Sequence, residues 1–168
     1  MTNTERSQRT TELMTRYGTD IKRFCLLQLR DASQAEDAAQ DVFIKAWRAL
    51  STFRGDSSEK TWLLHIAANT CRDYQRTGWF RFMDRRVTPE DMERAAAFEF
   101  PDDSLSKAIT ALPFLLRQAV TLRYFEELSI REMTQVLGIS EATAKRRIRK
   151  ANALLRQSLK EWYEDEEE

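Results

Sequence analysis

The stretch "LSIREMTQVLGISEATAKRRIRKANALL", residues 128–155, carries the helix and turn signals that decide the fold of this chain. Ser129 and Glu132 have the spacing of a capping box, in which two side chains satisfy free backbone amides at the start of a helix. Gly138 follows the last apolar residue of that helix and suits the left-handed conformation in which many helices end. Ser140 can cap a second helix directly afterwards. The stretch therefore predicts two helices joined by a short turn.

The second of these helices is predicted to be apolar on one side and cationic on the other. At about 100° per residue, one side collects Ala144, Ile148, Ala151 and Leu155, and the opposite side collects Ala142, Thr143, Arg146, Arg149 and Lys150. A helix-turn-helix of this kind places its second helix in the major groove of DNA, where Arg and Lys contact guanine edges or phosphates. A solvated surface helix is the alternative, but such helices usually pair Glu with Lys at four-residue spacing. Five of the six residues 145–150 are cations, so we expect DNA contact.

Composition favours a helical chain with no targeting segment. Apolar residues make up 42% of the 168 positions, and four Gly and three Pro are few for a hairpin-rich β architecture. The polar N-terminus lacks the apolar segment of a signal peptide, and no apolar run approaches the roughly 20 residues of a membrane span. We therefore expect a cytoplasmic protein without a membrane span. Cys25 and Cys71 fall on apolar helix faces and are predicted to be reduced core residues, although a disulfide between them is possible in principle.

The charges balance overall but are unevenly distributed. Lys and Arg number 27, Asp and Glu number 27, and the net charge is zero, so bulk charge says nothing about nucleic acid. The cationic run at 145–150 contrasts with the tail, residues 161–168, which carries six anions and no cation. This local distribution favours nucleic-acid binding. The tail is most simply solvated, and masking of the basic helix in the free protein is a second hypothesis.

Apolar residues at helical spacing predict three helices in the N-terminal half. The first covers about 11–30. A capping box of Ser33 with Glu36 predicts the start of the second, whose apolar stripe is Ala35, Ala39, Val42, Phe43, Ala46 and Leu50. The third begins near Ser58, and its buried face is Leu63, Ile66, Ala67, Thr70, Cys71 and Tyr74.

The pattern breaks between the two halves. Residues 83–101 contain two of the three prolines and no sustained apolar stripe, although Pro89 could open one weak helix. A flexible linker, 83–103, is therefore predicted between a domain at 9–82 and a helix-turn-helix domain at 104–160 that has four helices, followed by the acidic tail. The expected fold is all-α, with two small helical domains.

Two segments of the N-terminal half, taken with the helix-turn-helix, resemble a known family. They are "AEDAAQDVFIKAWRAL", residues 35–50, and "FRGDSSEKTWLLHIAANTCRDYQRTGWFR", residues 53–81. The three motifs, in this order, resemble the bacterial sigma factors of the extracytoplasmic-function (ECF) group of the sigma-70 family. The resemblance implies two domains, sigma region 2 and sigma region 4, that bind core RNA polymerase. The first would recognise and melt the −10 promoter element, and the second would read the −35 element.

The resemblance also assigns residues to each role. Core polymerase binding, with the clamp helices of the β′ subunit as the expected partner, falls to Asp37, Gln40, Asp41, Phe43 and Trp47. Recognition and melting of the −10 element fall to Phe53, Ser57, Lys60, Trp62, Asn69, Arg72 and Arg76. Recognition of the −35 element falls to Ser140, Thr143, Lys145, Arg146, Arg149 and Lys150. The chain departs from the family pattern at Thr134, Ala144 and Arg149, which leaves the exact −35 sequence unassigned.

The residue types suit these roles, and each has a structural alternative. Aromatics interleaved with cations suit melted DNA, because base–aromatic stacking is worth about 1–3 kcal/mol per base. Asn69 offers donors and an acceptor to a base edge. The alternative is core or anchor packing for Phe43, Trp47, Phe53 and Trp62, and packing at the end of the third helix for Trp79, Phe80 and Phe82. Asp37 and Asp41 repel each other on an isolated helix but could meet a basic polymerase surface.

Two other functions are alternatives to this interpretation. An enzyme is not expected, because the single histidine, His65, accompanies no metal-ligand spacing, P-loop or nucleophile motif, and no cofactor or metal is predicted. A conventional helix-turn-helix regulator is the serious alternative, and it would be a dimer on duplex DNA. A sigma factor would instead be monomeric. The family resemblance also implies an anti-sigma factor, which could hold the protein at the membrane.

Overall fold

The computed structural model describes the backbone of residues 1–84 and 103–167 and the side chains of residues 1–77 and 104–160. The described backbone contains seven α-helices and no strand, which confirms the all-α prediction. The predicted linker helix lies outside the described residues. So do the side chains of Trp79, Phe80, Phe82 and the acidic tail.

Three helices form the N-terminal half: α1 (Asn3–Leu29), α2 (Ala32–Ala49) and α3 (Glu59–Asp84). A short 3-10 turn, Leu50–Thr52, follows α2. All three helices contact one another. They bury the six residues predicted for the α2 stripe, together with Phe24 and Leu63. The predicted −10 and polymerase-binding residues therefore lie on one three-helix scaffold.

Helix α1 begins eight residues before its predicted start. Thr2 and Glu5 form a capping box, in which the Thr2 amide donates to the Glu5 carboxylate at 2.9 Å and the Glu5 amide donates to the Thr2 hydroxyl at 3.1 Å. Hydrophobic periodicity does not predict this start, because the first turns of α1 lack an apolar stripe.

Helix α2 also begins earlier than predicted, and the Ser33–Glu36 capping box is wrong. Asp31 is the N-cap, and its carboxylate accepts hydrogen bonds from the amides of Ser33 and Gln34 at 2.9 and 3.1 Å. An Asp acceptor two residues upstream takes the free amides, which leaves Ser33 inside the first turn.

Four helices form the C-terminal half, as predicted: α4 (Asp103–Thr110), α5 (Phe114–Val120), α6 (Ile130–Leu137) and α7 (Glu141–Glu167). A π-helical turn, Thr121–Phe125, continues α5. A cluster belonging to this half alone consists of Ala108, Ile109, Leu112, Val120, Ala151 and Leu155.

The helix and turn signals of residues 128–155 are confirmed. Ser129 and Glu132 form both hydrogen bonds of the capping box at 3.1 Å. Gly138 ends α6 in the left-handed region with φ 65°, and the Ser140 hydroxyl accepts from the Thr143 amide at 3.1 Å at the start of α7.

Replacing Gly138 with alanine should lower the free energy of unfolding by about 1–2 kcal/mol, the cost of a left-handed conformation for a residue with a Cβ. An added Cβ would meet no atom within 4 Å, so the loss comes from backbone conformation alone. Gly18→Ala is the control, because Gly18 lies inside α1, where an added Cβ would also meet no atom within 4 Å, and alanine should raise stability there through its helix propensity. Urea unfolding measures both changes. Equal stability of Gly138→Ala and the wild-type protein would contradict this account.

The two halves pack directly against each other in what we call the closed arrangement. Helix α3 contacts α6, and α1 contacts α4 and α5. The larger hydrophobic core is shared, with Leu64 from the N-terminal half and Leu122 and Val136 from the C-terminal half all fully buried. Buried Arg117 spans the boundary, since its guanidinium donates to the Gln28 carbonyl at 2.5 Å. The linker predicted from the sequence does not determine how the two halves are placed relative to each other.

Candidate functional site

The predicted −35 residues all lie on the first turns of α7 and its N-cap. Ala144 and Ala151 are fully buried beneath them, as the amphipathic pattern predicted. On the outer side, Ser140, Lys145, Arg146, Arg149 and Lys150 are exposed and Thr143 is half-buried. The closed arrangement therefore leaves a continuous cationic helix face open to solvent.

The predicted −10 residues at the turn between α2 and α3 form the wall of a small cavity. The rings of Phe53 and Trp62 stack with centroids 4.7 Å apart and planes 29° from parallel. With Arg54, Asp56 and Ser57 they line a cavity of about 180 Å³. Both rings are half-buried, so neither is a full core residue. An aromatic stack, a hydroxyl and a cation meet here, which is the chemistry that an unstacked base requires.

Asn69 is held in one orientation further along α3. The Arg72 guanidinium donates to the Asn69 side-chain oxygen at 2.9 Å, and the His65 Nε2 lies 3.3 Å from the Asn69 side-chain nitrogen. Arg76 forms an ion pair with Asp73, the residue three positions earlier. These side chains extend the polar surface along α3, and Arg72 and Arg76 are exposed.

Lys60 is placed differently from the other predicted −10 cations. Its Nζ lies 3.0 Å from the Glu126 carboxylate, whose side chain is fully buried at the boundary between the halves. The other carboxylate oxygen lies 3.4 Å from Arg23. The structure thus joins one predicted DNA contact to the helix-turn-helix half.

The predicted polymerase-binding residues divide between two faces of α2. Gln40, Phe43 and Trp47 line an apolar groove of about 400 Å³ that α1 closes from the other side. Asp41 lies on the adjoining face, where it accepts a hydrogen bond from the Tyr74 hydroxyl at 2.5 Å. Asp37 lies one turn before Asp41 on that same face. Phe43 is buried and Trp47 half-buried, so Phe43 belongs to the core and to the groove wall at once.

Four further residues that were not predicted from the sequence line this groove: Ser7, Thr10, Met14 and Ile44. Met14 and Ile44, which line the same groove, are 48% and 49% exposed, and adjoining exposed apolar side chains often mark an interaction surface. The start of α1 also fixes Trp47, whose indole nitrogen donates to the Ser7 hydroxyl at 3.2 Å. The Arg6 guanidinium lies 4.9 Å from the centre of the Trp47 ring. Ile44, an apolar residue outside the predicted α2 stripe, was a sequence signal for this groove.

The cysteines lie in the core, as predicted. Cys25 and Cys71 are both buried and free. A hydrogen bond with Cys25, and then burial, raises the pKa of the Cys71 thiol well above its ordinary value. Because the thiolate is the reactive form, this environment makes Cys71 unreactive.

The described residues contain neither a cluster suited to a metal ion nor a helix suited to a membrane. Among them, no group of three or more His, Cys, Asp or Glu side chains could hold a metal ion. In the same part of the chain, no helix is long and apolar enough to cross a membrane.

Two family matches cover most of the chain. Sigma-70 region 2 matches residues 13–81, and Sigma-70, region 4 matches residues 102–155. The first match includes every predicted −10 and polymerase-binding residue, and the second includes the helix-turn-helix.

Proteins with similar sequences are named as sigma factors. The RNA polymerase sigma-H factor of Pseudomonas aeruginosa is 35% identical over 162 residues, which span 88% of this chain and 84% of the relative. The ECF RNA polymerase sigma-E factor of Escherichia coli K12 is 33% identical over 135 residues, which span 68% of each protein.

Solved structures share the fold. The sigma factor RpoE of Bartonella quintana, solved with the anti-sigma factor NepR, has a TM-score of 0.72 at 22% identity and covers 89% of this chain and 96% of its own. CnrH, solved with the cytosolic domain of CnrY, has a TM-score of 0.68 at 24% identity and covers 92% of this chain and 89% of its own.

Proposed function

The chain belongs to the ECF group of the sigma-70 family, the alternative sigma factors of transcription initiation, and we propose that it directs core RNA polymerase to promoters by reading a −35 and a −10 element. One observation carries this proposal. A single chain presents a cationic helix face suited to duplex DNA and, on the other half, an aromatic and cationic surface suited to melted DNA.

In this proposal α7 reads the −35 element. Lys145, Arg146, Arg149 and Lys150 contact base edges or phosphates in the major groove, with Thr143 and Ser140 at the end of the helix that enters it. The exposure of all four cations supports this role.

The surface of α3 and the preceding turn captures the −10 element. The Phe53–Trp62 stack and Ser57 hold an unstacked base in the small cavity, while Asn69 reads a second base edge. Lys60, Arg72 and Arg76 bind the backbone of the melted strand. Aromatic stacking combined with cations is the mode by which proteins hold single strands.

Core polymerase binds along α2. The groove takes an apolar side chain of the β′ clamp helices, and Asp37 and Asp41 on the adjoining face meet basic residues of the same subunit. The continuity of groove and acidic face along one helix supports a single extended interface.

The remaining partners follow from the proposed role. We expect a monomeric, non-catalytic protein that acts in the cytoplasm, where polymerase works, and that an anti-sigma factor holds inactive. RpoE of Bartonella quintana was solved with such a factor, NepR. The conventional dimeric regulator is not favoured, because the N-terminal half matches sigma region 2.

A charge in the groove should weaken polymerase binding specifically. Ile44→Glu is expected to raise the Kd for core polymerase at least about thirtyfold, because it buries an unpaired carboxylate at an apolar contact. Thr15→Glu, at an exposed position of α1 outside the groove lining, is the control and should bind within about twofold of wild type. Fluorescence anisotropy of labelled protein titrated with core enzyme measures both. Unchanged affinity of Ile44→Glu would exclude the groove from the interface, and no binding by the wild-type protein would overturn the proposed function.

A further inference from the structure

Three side chains of α3 form a continuous row of hydrogen bonds. The Arg72 guanidinium donates to the Asn69 Oδ1 at 2.9 Å, and the Asn69 Nδ2 lies 3.3 Å from the His65 Nε2. At the far end of the row, the His65 Nδ1 lies 2.9 Å from the Val136 carbonyl of α6. Spacings of four and three positions place residues 65, 69 and 72 on one helix face. We call these three side chains the α3 polar row.

The chemistry of the two ends fixes the orientation of the amide between them. A guanidinium only donates, so the Asn69 atom that faces Arg72 must be the oxygen, and the atom that faces His65 must be the nitrogen. An amide nitrogen also only donates, so the His65 Nε2 must accept and carry no proton. At the other end a backbone carbonyl only accepts, so the His65 Nδ1 must carry the proton. Both ends therefore require the same neutral tautomer of His65.

The neighbours of Asn69 leave one edge of its amide open. An asparagine side chain has two N–H donors and two acceptor lone pairs. Arg72 takes one lone pair and His65 takes one N–H, and the two residues approach from opposite directions along the helix. One donor and one acceptor remain, side by side on the outer edge, and their order is fixed because the amide cannot turn over without losing both contacts.

An edge of this kind distinguishes between classes of base. Adenine presents an amino donor beside a ring acceptor, and asparagine pairs with its N6 and N7 in this bidentate way. Guanine presents two acceptors, N7 and O6, on the corresponding edge. On the Watson–Crick edge, adenine and cytosine place an amino group where guanine and thymine place a carbonyl oxygen. An amide of fixed order therefore pairs with one class, whereas an amide free to turn over pairs with both.

We propose that His65 is a positioning residue that sets the base specificity of Asn69 in the −10 element. Through its unprotonated Nε2 it holds the Asn69 amide in the order that pairs with adenine or cytosine, so guanine and thymine are rejected. His65 itself contacts no base in this account. The DNA ligand rests on the proposed function, whereas the tautomer of His65 does not.

The tautomer of His65 tests the positioning contact on the free protein. His65 is the single histidine of the chain, so isotope-labelled histidine gives the signals of one ring in a nitrogen NMR spectrum. At about pH 8, where free histidine is neutral, we expect a protonated Nδ1 and an unprotonated Nε2. Asn69→Ala should shift the Nε2 signal, because it removes the donor to that nitrogen. A protonated Nε2 in the wild-type protein would overturn the inference whether or not any variant folds.

Base selection by the polymerase complex tests the consequence for DNA. Promoter probes with a single-stranded, randomised −10 region are incubated with the complex, and the bound probes are sequenced. At the position where Asn69→Ala abolishes selection, the wild-type protein should prefer adenine or cytosine about tenfold over guanine and thymine. His65→Leu should reduce this preference to about twofold or less and leave the other positions unchanged, because the amide can then turn over.

Two further variants separate positioning from a general effect on α3. His65→Gln provides a side-chain oxygen that can accept from Asn69, so it should restore most of the preference. Gln75→Leu, at an exposed position of α3 outside the α3 polar row, is the matched control for His65→Leu and should keep the wild-type profile.

Each remaining outcome bears on a different part of the account. A wild-type profile for His65→Leu, or a loss that His65→Gln does not restore, would overturn the positioning role. A preference for guanine or thymine would overturn the assigned base class. Selection that Asn69→Ala leaves unchanged at every position would exclude Asn69 as a reader and leave the sigma role intact. A wild-type complex that selects no sequence would contradict the proposed function, and the tautomer result would stand.

Discussion

Arg117→Ala is expected to lower the free energy of unfolding by about 4 kcal/mol. The Arg117 side chain is 2% exposed. Its guanidinium donates to the carbonyls of Gln28, Leu112 and Thr110 at 2.5, 3.0 and 3.3 Å. Alanine would leave a cavity and several unsatisfied acceptors at the boundary between the halves. Burial lowers the pKa of Arg117 to about 10, so the group still carries its charge and its donors at neutral pH.

Urea unfolding of Arg117→Ala and Arg131→Ala separates this role from a general effect of losing an arginine. Arg131 is exposed on α6, and its replacement should change stability by no more than about 0.5 kcal/mol. A difference of less than about 1 kcal/mol between the two variants would show that the Arg117 contacts do not stabilise the fold.

The double substitution Arg146→Ala with Arg149→Ala is expected to weaken promoter binding by the polymerase complex about a hundredfold. Each lost base or phosphate contact in the major groove is worth about 1–3 kcal/mol. The dependence of binding on salt should also become less steep, because fewer counterions are released. Both residues are exposed on α7, so the fold should be unaffected.

Arg156→Ala provides the control for that loss. Arg156 is exposed on the same helix, beyond the helix-turn-helix, and its replacement should leave promoter affinity within about twofold. Filter binding across a salt series measures all three proteins. An equal loss for Arg156→Ala would show that general positive charge, and not the proposed −35 face, governs binding.

Much of the fold was predictable, because local signals agreed with tertiary packing. The stripe on α2 and the apolar side of α7 follow from helical periodicity alone, and both are buried as expected apart from Ile148, which is half-buried. The capping box at Ser129 and the left-handed Gly138 are equally local signals, and both are confirmed. Each of these features needs only residues within four positions of one another.

The start of α1 was missed for the opposite reason. Its first turns are polar, and the Thr2–Glu5 capping box stands without an apolar stripe behind it. The groove at Trp47 depends on this start, because Ser7 and Met14 supply its other wall. Because the start of α1 was not predicted, the α1 wall of the groove was not predicted either.

The packing of the two halves could not be predicted from local patterns. The contacts that define it join residues far apart in the chain, such as Gln28 with Thr121 at 3.1 Å and Arg117 with the Gln28 carbonyl. Buried Gln and Arg also contradict the usual placement of these residues at the surface. Such residues are buried only because distant partners satisfy them, and spacing along the sequence carries no sign of that.

Residue spacing left open whether several aromatic residues pack in the core or line a site, and the structure distinguishes these roles for three of them. Phe43 is a core residue that also lines the groove, whereas Phe53 and Trp62 stack at the edge of a cavity and are not fully buried. Ile44→Glu tests the proposed polymerase role of the groove that Phe43 lines.

Run-off transcription with core RNA polymerase and genomic promoter fragments tests the central claim most directly. Addition of the purified protein should create start sites that are absent with core enzyme alone. Those start sites should vanish with Asp41→Ala and with Arg146→Ala, and persist with Arg156→Ala. Absence of polymerase-dependent start sites, together with a footprint on duplex DNA by a dimer of the protein alone, would contradict a promoter-selecting subunit.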